Sequence, residues 1–264
     1  MGLACSYLMG FTMRLHHKAP QSVSLFRFLV LGAGLSGCAA ANLETSGSLS
    51  TYGGMTQANG VVAQSQQRIE KEDVLAARTV AILPTAFSTA ASRAELTDKQ
   101  RHIIANAIDR SVCIGLSDRF TVVARGETAD LIVKAKITHV TVTDANIAAA
   151  SKVAAAVPMF LSLGAPVPVP RIPFGMGTLS VEAEALDPKG KQKAAMLWAR
   201  GTDILTGKAR VSAAGDAYDL ASTFGDDFSK FLVTAESPYT NGLSLPTMQK
   251  MSSSLGGDPK CVGR

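Results

Sequence analysis

Thiols, paired carboxylates and histidines are the groups through which this chain could do chemistry, and they are few. The four cysteines, Cys5, Cys38, Cys113 and Cys261, include no C-x-x-C pair, so they outline neither a zinc site nor a disulfide framework. Cys113, inside a predicted helix, reads as a small buried hydrophobe, and a Cys113–Cys261 disulfide stays open in an oxidising compartment. Glu182 and Glu184 stand two residues apart on a predicted strand and therefore share a face, as a catalytic carboxylate pair would. The plainer reading is a solvated strand face opposite Lys134 and Lys136; a catalytic one requires a concave polar pocket around both glutamates. After Cys38 the only histidines are His102 and His139, on different elements and without cysteines or carboxylates at ligand spacing. No G-x-S-x-G or P-loop pattern follows either. No catalytic residue, cofactor-binding residue or metal ligand is assigned, and no enzymatic activity is expected.

Cys38 is different, because the residues around it form a pattern. The run "FLVLGAGLSGCAAANLE", Phe28 to Glu44, can be read as an apolar strand entering G-x-G-x-x-G, or as an apolar run ending in Leu35-Ser36-Gly37-Cys38. A dinucleotide-binding turn needs a helix of a dozen or more residues behind it and an acidic residue about 20 positions on. Here "TSGSLSTYGG" follows within a few residues, and glycine and serine end a helix. The first convincing strand, from Thr79, begins too late for a compact β-α-β unit. The second reading has its parts in order: a basic segment "MRLHHKAP" from Met13, Arg27, an apolar core of about eight residues and small residues before a cysteine. Residues 1–37 are then a signal peptide, of ordinary length if translation starts at Met13. Leu35-Ser36-Gly37-Cys38 resembles the lipobox of bacterial lipoproteins. That resemblance implies signal-peptidase recognition through Leu35, Ser36 and Gly37, and diacylglyceryl and acyl (palmitate-class) modification of Cys38 as the mature N-terminus. Ala39 in place of aspartate further implies sorting to the outer membrane, facing the periplasm.

The charge fits a removable leader. Arg14, Lys18 and Arg27 precede Cys38 and no acidic residue does, so their loss lowers the formal net charge of +5 to +2. The remaining basic residues are scattered and not interleaved with aromatics, which argues against nucleic acid as a partner. No window reaches the ~18 uninterrupted apolar residues of a spanning helix. The 47% apolar content suffices for a core.

The elements that would position these groups follow from periodicity. Residues 38–71, small and polar and then Gln-rich, read as a lipidated N-terminus and flexible tether, with Tyr52 partly buried or a docking anchor. "RTVAILPT" is a strand closed by Pro84. Thr97-Asp98-Lys99-Gln100 has the form of a capping box, opening a helix to about Leu116 that buries Ile104, Ala107, Ile108 and Cys113 or Leu116 and leaves Asp109 and Arg110 solvated. "RFTVVAR" is a strand. "ADLIVKAKITHVTVT" is a longer one, with Leu131, Val133, Ala135 and Ile137 facing one way and a bulge at His139. "TLSVEAEALDPKGKQKAAMLWARGTDIL" is a hairpin turning at Asp187 to Gly190, with Leu179, Val181, Ala183 and Ala185 on one face and Ser180, Glu182 and Glu184 on the other. Asp216 to Val233 is an amphipathic helix offering Leu220, Ala221, Phe224, Phe228 and Phe231 to the core, with Asp226 and Asp227 on its surface. Residues 236–264 read as a loose tail. Residues 144–176 are apolar: an alanine-rich helix stopped near Pro158, then a proline-spaced extended run. They read as a cover packed on the sheet, or else as a membrane-touching or self-associating insertion.

The Cys38 motif, Tyr52, "VAILP", "ADLIVKAKITHV" and "LSVEAEALDPKGKQKAAMLWARGTD" together resemble the DUF3313-type family of bacterial lipoproteins, a domain of unknown function, over roughly residues 50–233. The resemblance carries no catalytic residues with it. The "DPKGK" turn departs from it, since a Thr or Ser is expected before the glycine.

The fold class expected is α+β: a mixed, mainly antiparallel sheet of about five strands with two helices on one face, forming a single periplasmic domain over 72–235. The expected function is that of a membrane-anchored envelope lipoprotein whose domain binds another envelope component. Its partners are then the lipid bilayer, through acylated Cys38, and an envelope protein or a second copy of itself. The alternative is a subunit of an oligomeric outer-membrane assembly or secretion complex that uses 144–176; the strand-helix layout is similar to that of curli-secretion-type lipoproteins.

Overall fold

The computed structural model describes residues 41–150, 175–202, 211–239 and 261. Its strands are β1 (Thr56–Gln57), β2 (Ala63–Ile69), β3 (Thr79–Ile82), β4 (Ala86–Phe87), β5 (Thr121–Val123), β6 (Leu131–Thr141), β7 (Thr178–Leu186) and β8 (Gln192–Gly201); its helices are α1 (Lys71–Ala76), α2 (Asp98–Ser117) and α3 (Gly215–Thr234). The strands make one mixed sheet in the order β1-β2-β8-β7-β6-β3-β5, with β4 also on β6. Pairing is antiparallel from β1 across to β6, whereas β3 and β4 run parallel to β6, and β5 to β3. The class is α+β as expected, with eight strands in place of about five.

The additional strands lie where the sequence lacks an apolar alternation. β2 reads "AQSQQRI", yet it pairs over seven residues with β8, from Ala63↔Arg200 to Ile69↔Ala194. Its inward positions, Ala63, Ser65 and Gln67, are buried although two are polar, and Gln67 Nε2 donates to Ser65 Oγ at 3.1 Å. The flexible tether expected over 38–71 is therefore corrected within the described residues: 63–69 form part of the sheet. β1 and β4, at two residues each, are too short to show any period.

The capping box opens α2 as expected. Thr97 N donates to Gln100 Oε1 at 2.8 Å, and Gln100 N donates back to Thr97 Oγ1 at 3.2 Å, satisfying two amides that the first turn leaves free. Ile104, Ala107, Ile108, Cys113 and Leu116 are buried. Asp109 is not solvated as expected. It lies in the core, accepting from Thr85 N and Oγ1 at 2.9 and 2.6 Å, and so fixes the chain just after β3. β6 carries the expected bulge between Ile137 and His139.

α2 and α3 lie against one another on one face of the sheet. Two glycines let their backbones approach: a Cβ on Gly115 would meet Ser229 Oγ at 2.0 Å, and one on Gly225 would meet Ser111 Cβ at 2.5 Å. Beneath them Trp198 is fully buried, edge-on to Phe224 at 5.6 Å, and Phe224 stacks on Phe228 at 5.8 Å.

Cys113 is buried and also bonded to Cys261, with Cα atoms 5.8 Å apart across 148 residues of sequence. The loose tail expected over 236–264 is thus held at Cys261, and also at Tyr239, whose ring packs against Gly60. Of the 144–176 connection, residues 145–150 are helical, and Asp144 N donates to Gly175 O at 2.8 Å; Pro158 and the proline-spaced run lie outside the described residues.

Candidate functional site

The opposite face of the sheet is where most of the predicted polar chemistry converges. From Ala41 to Met55 the chain crosses β7 and β8 without helix or strand, bending at Gly47 and turning at Gly53–Gly54. Leu43, Leu49, Tyr52 and Met55 cover Ala195 and Leu197, and the hydroxyl-rich positions between them meet the polar side of β7. Glu44 N donates to Ser180 Oγ at 3.1 Å. Glu182 Oε2 accepts from Ser46 N at 3.2 Å and Tyr52 OH at 2.7 Å, while its Oε1 accepts from Ser48 N at 3.1 Å and from the hydroxyls of Ser46 and Ser48. Glu184 Oε2 accepts from Ser50 N at 2.8 Å and Gln192 Nε2 at 2.9 Å, and its Oε1 from Ser50 Oγ at 3.1 Å.

Glu44, Ser46, Ser48 and Ser50 recur every second residue and run the same way as Ser180, Glu182 and Glu184. The match is not one to one: Gly47, at φ 73°, bends the segment, and Ser46 and Ser48 both reach Glu182 while Ser50 reaches Glu184. Lys136 and Lys134 stand beside Glu182 and Glu184 in register as expected. The expected solvated face is nonetheless corrected: Glu182 is 1% exposed and Glu184 2%. Nor do the two glutamates line an open concave pocket. Their oxygens are occupied by donors from the chain's own N-terminal segment.

The electrostatics follow. Burial pushes the Glu182 carboxyl up, but the hydrogen bonds from Ser46, Ser48 and Tyr52 outweigh it and hold the group below the ordinary glutamate value. Tyr52 is pushed up by burial and by its bond to Glu182. Donors crowd around an anion, so the segment is clamped by charge-assisted hydrogen bonds rather than only by apolar contact.

A second cluster sits at the hairpin end. Lys193 contacts Glu70 at 3.0 Å, Asp73 at close range and Asp187 at 3.8 Å, and Lys191 and Arg68 also reach Glu70, at 3.3 and 3.0 Å. The bond from Lys193 chiefly, with Lys191, holds the Glu70 carboxyl down at about 2 against the opposing effect of burial, and Lys193 is raised in turn, by Asp73 first and then Glu70. A third set lies under α3. Asp227 Oδ2 accepts from Trp198 Nε1 at 2.9 Å and Tyr239 OH at 3.0 Å, so Asp227 is not the plain helix-surface residue expected, although Asp226 is exposed. Burial raises Asp227 despite those two donors.

The remaining candidates stay apart. His102 is exposed on α2. His139 has Nδ1 3.3 Å from Glu44 Oε1 and Nε2 3.2 Å from Thr141 Oγ1. Among the described residues no group of three or more His, Cys, Asp or Glu is placed to hold a metal ion, and no helix is long and apolar enough to cross a membrane. Leu35, Ser36, Gly37 and Cys38 lie outside the described residues. Ser46, Ser48 and Ser50 are the participants that composition hides. Their signal was the two-residue spacing, obscured because serine and glycine read as linker.

Among solved structures, a point variant of the PelC dodecamer from Paraburkholderia phytofirmans is 10% identical, covering 62% of this chain and 95% of that one with a TM-score of 0.34. The PelC dodecamer in another crystal form is 13% identical, covering 66% and 97%, also at 0.34. A PDZ domain protein from Parabacteroides distasonis is 11% identical over 61% of this chain and 33% of that one, at 0.24. No curated protein matches the chain. The family model described as "Protein of unknown function (DUF3313)" matches residues 44–228, from the first residue clamped onto β7 to a core phenylalanine of α3, and this chain belongs to that family.

Proposed function

We propose that this protein is a lipid-anchored envelope protein, acylated on Cys38 and held at the outer membrane facing the periplasm, whose α+β domain acts by binding another envelope component. The observation that carries the reading is Leu35-Ser36-Gly37-Cys38 at the end of a basic and then apolar leader. Two features of the domain support it. The Cys113–Cys261 disulfide suits an oxidising compartment. The described fold also starts close to that cysteine in sequence: Ala41, three residues on, is buried.

Metabolic labelling with an acyl-chain precursor, run beside Cys38→Ser with membrane fractionation, tests the anchor. The wild type is expected to carry label and sediment with outer membranes, and the serine variant to lose the label and to accumulate unprocessed. Equal labelling and equal processing of both would overturn the reading.

A second reading has its own observation. The hydrogen bond between Asp144 and Gly175 brings together the two described ends of the apolar 144–176 connection. An apolar connection of that length suits contact with further copies in an oligomeric envelope assembly or secretion complex. Light scattering on the detergent-purified lipoprotein separates the two: a monomer at all concentrations argues against the assembly.

A further inference from the structure

The β1–β2 hairpin ends in a tip that water does not favour. Gly60 N donates to Ala63 O at 2.9 Å, which leaves Val61 and Val62 as the central residues of the turn. Positions of this kind ordinarily go to Gly, Asn or Asp, whose backbones and side chains suit a solvated tight turn. Here two β-branched apolar side chains occupy them, Val61 100% and Val62 41% exposed. Val211, at 49%, is a third exposed valine, two residues before Ala213, whose carbonyl oxygen accepts from Thr143 N just beyond the end of β6. The other large apolar side chains exposed among the described residues, Leu75 and Ile103, lie separately on α1 and α2.

The sheet register places this tip relative to the anchor. Ala63 pairs with Arg200, Arg200 with Leu179, and Leu179 with Val140, so the tip projects from the end of the sheet where β7 starts and β6 and β8 finish. The N-terminal segment reaches the same end. Ser50 bonds Glu184, Ser48 and Ser46 bond Glu182, and Glu44 bonds Ser180. Traced backwards, the chain therefore climbs β7 towards Thr178. From Glu44 to Cys38 is six residues, a reach of at most ~21 Å fully extended. β2 and β7 are two strands apart, about 10 Å across the sheet. The opposite end is charged: it carries the Asp187 to Gly190 turn with Lys191, Lys193, Glu70 and Asp73.

We infer that the Val61–Val62 tip is a second membrane contact, entering the acyl region of the bilayer beside the lipidated Cys38 and orienting the domain with the charged hairpin end away from the membrane. The inference rests on the anchor reading above, because the short leash is what brings this end to the surface. An anchor alone lets a domain tumble; an apolar tip fixed to the same sheet end restrains it.

The test uses the full-length lipidated protein in vesicles of phosphatidylethanolamine and phosphatidylglycerol containing an acyl-chain nitroxide phospholipid. One environment-sensitive fluorophore is attached through Val61→Cys, and in a separate protein through Lys189→Cys at the far turn. Interfacial apolar groups sit ~5–10 Å deep, so the probe at 61 is expected to be quenched roughly twofold or more and the probe at 189 to be unaffected. Adding Val62→Asp to the Val61→Cys protein should reduce that quenching without moving its thermal midpoint. Vesicle flotation of wild type and Cys38→Ser runs in parallel. If only the wild type floats and the two probes are quenched alike, or not at all, the inference is overturned while the anchor reading stands. If Cys38→Ser floats as well as the wild type, the anchor reading fails and the orientation argument falls with it.

Discussion

The two faces of this sheet are closed by opposite means. On one side α2 and α3 bring Ile104, Ile108, Phe224, Phe228 and Phe231 down on Trp198, Met196 and Val181, a conventional apolar interior. On the other side a segment without helix or strand, residues 41–55, is held on Glu182 and Glu184 by serine amides, serine hydroxyls and Tyr52, with Leu43, Leu49, Met55 and the Tyr52 ring adding apolar contact. Apolar closure is non-directional and tolerates repacking. Polar closure is directional and fails when one acceptor is lost, because several donors are then stranded together.

That contrast sets the size of the effects expected from substitution. Phe228→Ala on the helix face should be the most damaging. The ring is fully buried and stacked on Phe224, and large-to-small changes of this kind cost about 3–5 kcal/mol. Chemical denaturation should show one cooperative transition at lower denaturant, with both faces lost together. A cost below ~1 kcal/mol would mean that this interior is not what holds the domain.

On the polar face, Glu182→Ala removes the acceptor for Ser46, Ser48 and Tyr52 at once. Each stranded buried donor costs about 1–3 kcal/mol, but the segment can lift and rehydrate, so a net of roughly 2–3 kcal/mol is expected. The loss should be local. Amide exchange should rise over 41–55 while α2 and α3 stay protected, and protease should cut the segment first. Uniform exchange across both faces would show that the two closures are one cooperative unit.

The same contrast explains what could be read in advance. Apolar positions at helical spacing in α2 and α3, alternation in β6 and β7, the Thr97–Gln100 box and the bulge at His139 are local signals, and each corresponds to an observed feature. The polar closure was illegible because its information is relational. Ser46, Ser48 and Ser50 mean linker by composition, and only become a comb when Glu182 and Glu184, more than 130 residues away, lie beneath them. The burial of Asp109 and the bonding of Asp227 are hidden for a related reason: their partners, Thr85, Trp198 and Tyr239, lie outside the helix that carries each aspartate, so helical spacing does not reveal them. β2 failed as a strand pattern because its buried side is satisfied by hydrogen bonds rather than by apolar burial.

The smallest and most diagnostic effect concerns pH, because each face carries a carboxylate shifted in the opposite direction. Glu182 is held below its ordinary value of 4.5; burial opposes this and the Ser46, Ser48 and Tyr52 bonds overcome it. Its folded value is depressed, so its ionisation stabilises the fold above pH ~4.5, and that contribution disappears as pH falls through the folded value. Asp227, on α3, is raised above 3.8 because burial exceeds the help from Trp198 and Tyr239. Its charge therefore costs stability above its folded value, and the cost is relieved as pH falls towards ~3.8. Denaturant midpoints of wild type, Glu182→Gln and Asp227→Asn, measured from pH 7 to pH 3, should give difference curves of opposite slope. The deficit of Glu182→Gln should shrink as the solution is acidified, and that of Asp227→Asn should grow. Glu70, held at about 2, titrates in the same acid range but is common to all three proteins and cancels in the differences. Parallel curves would mean that the two faces differ in composition but not in how they hold their charge.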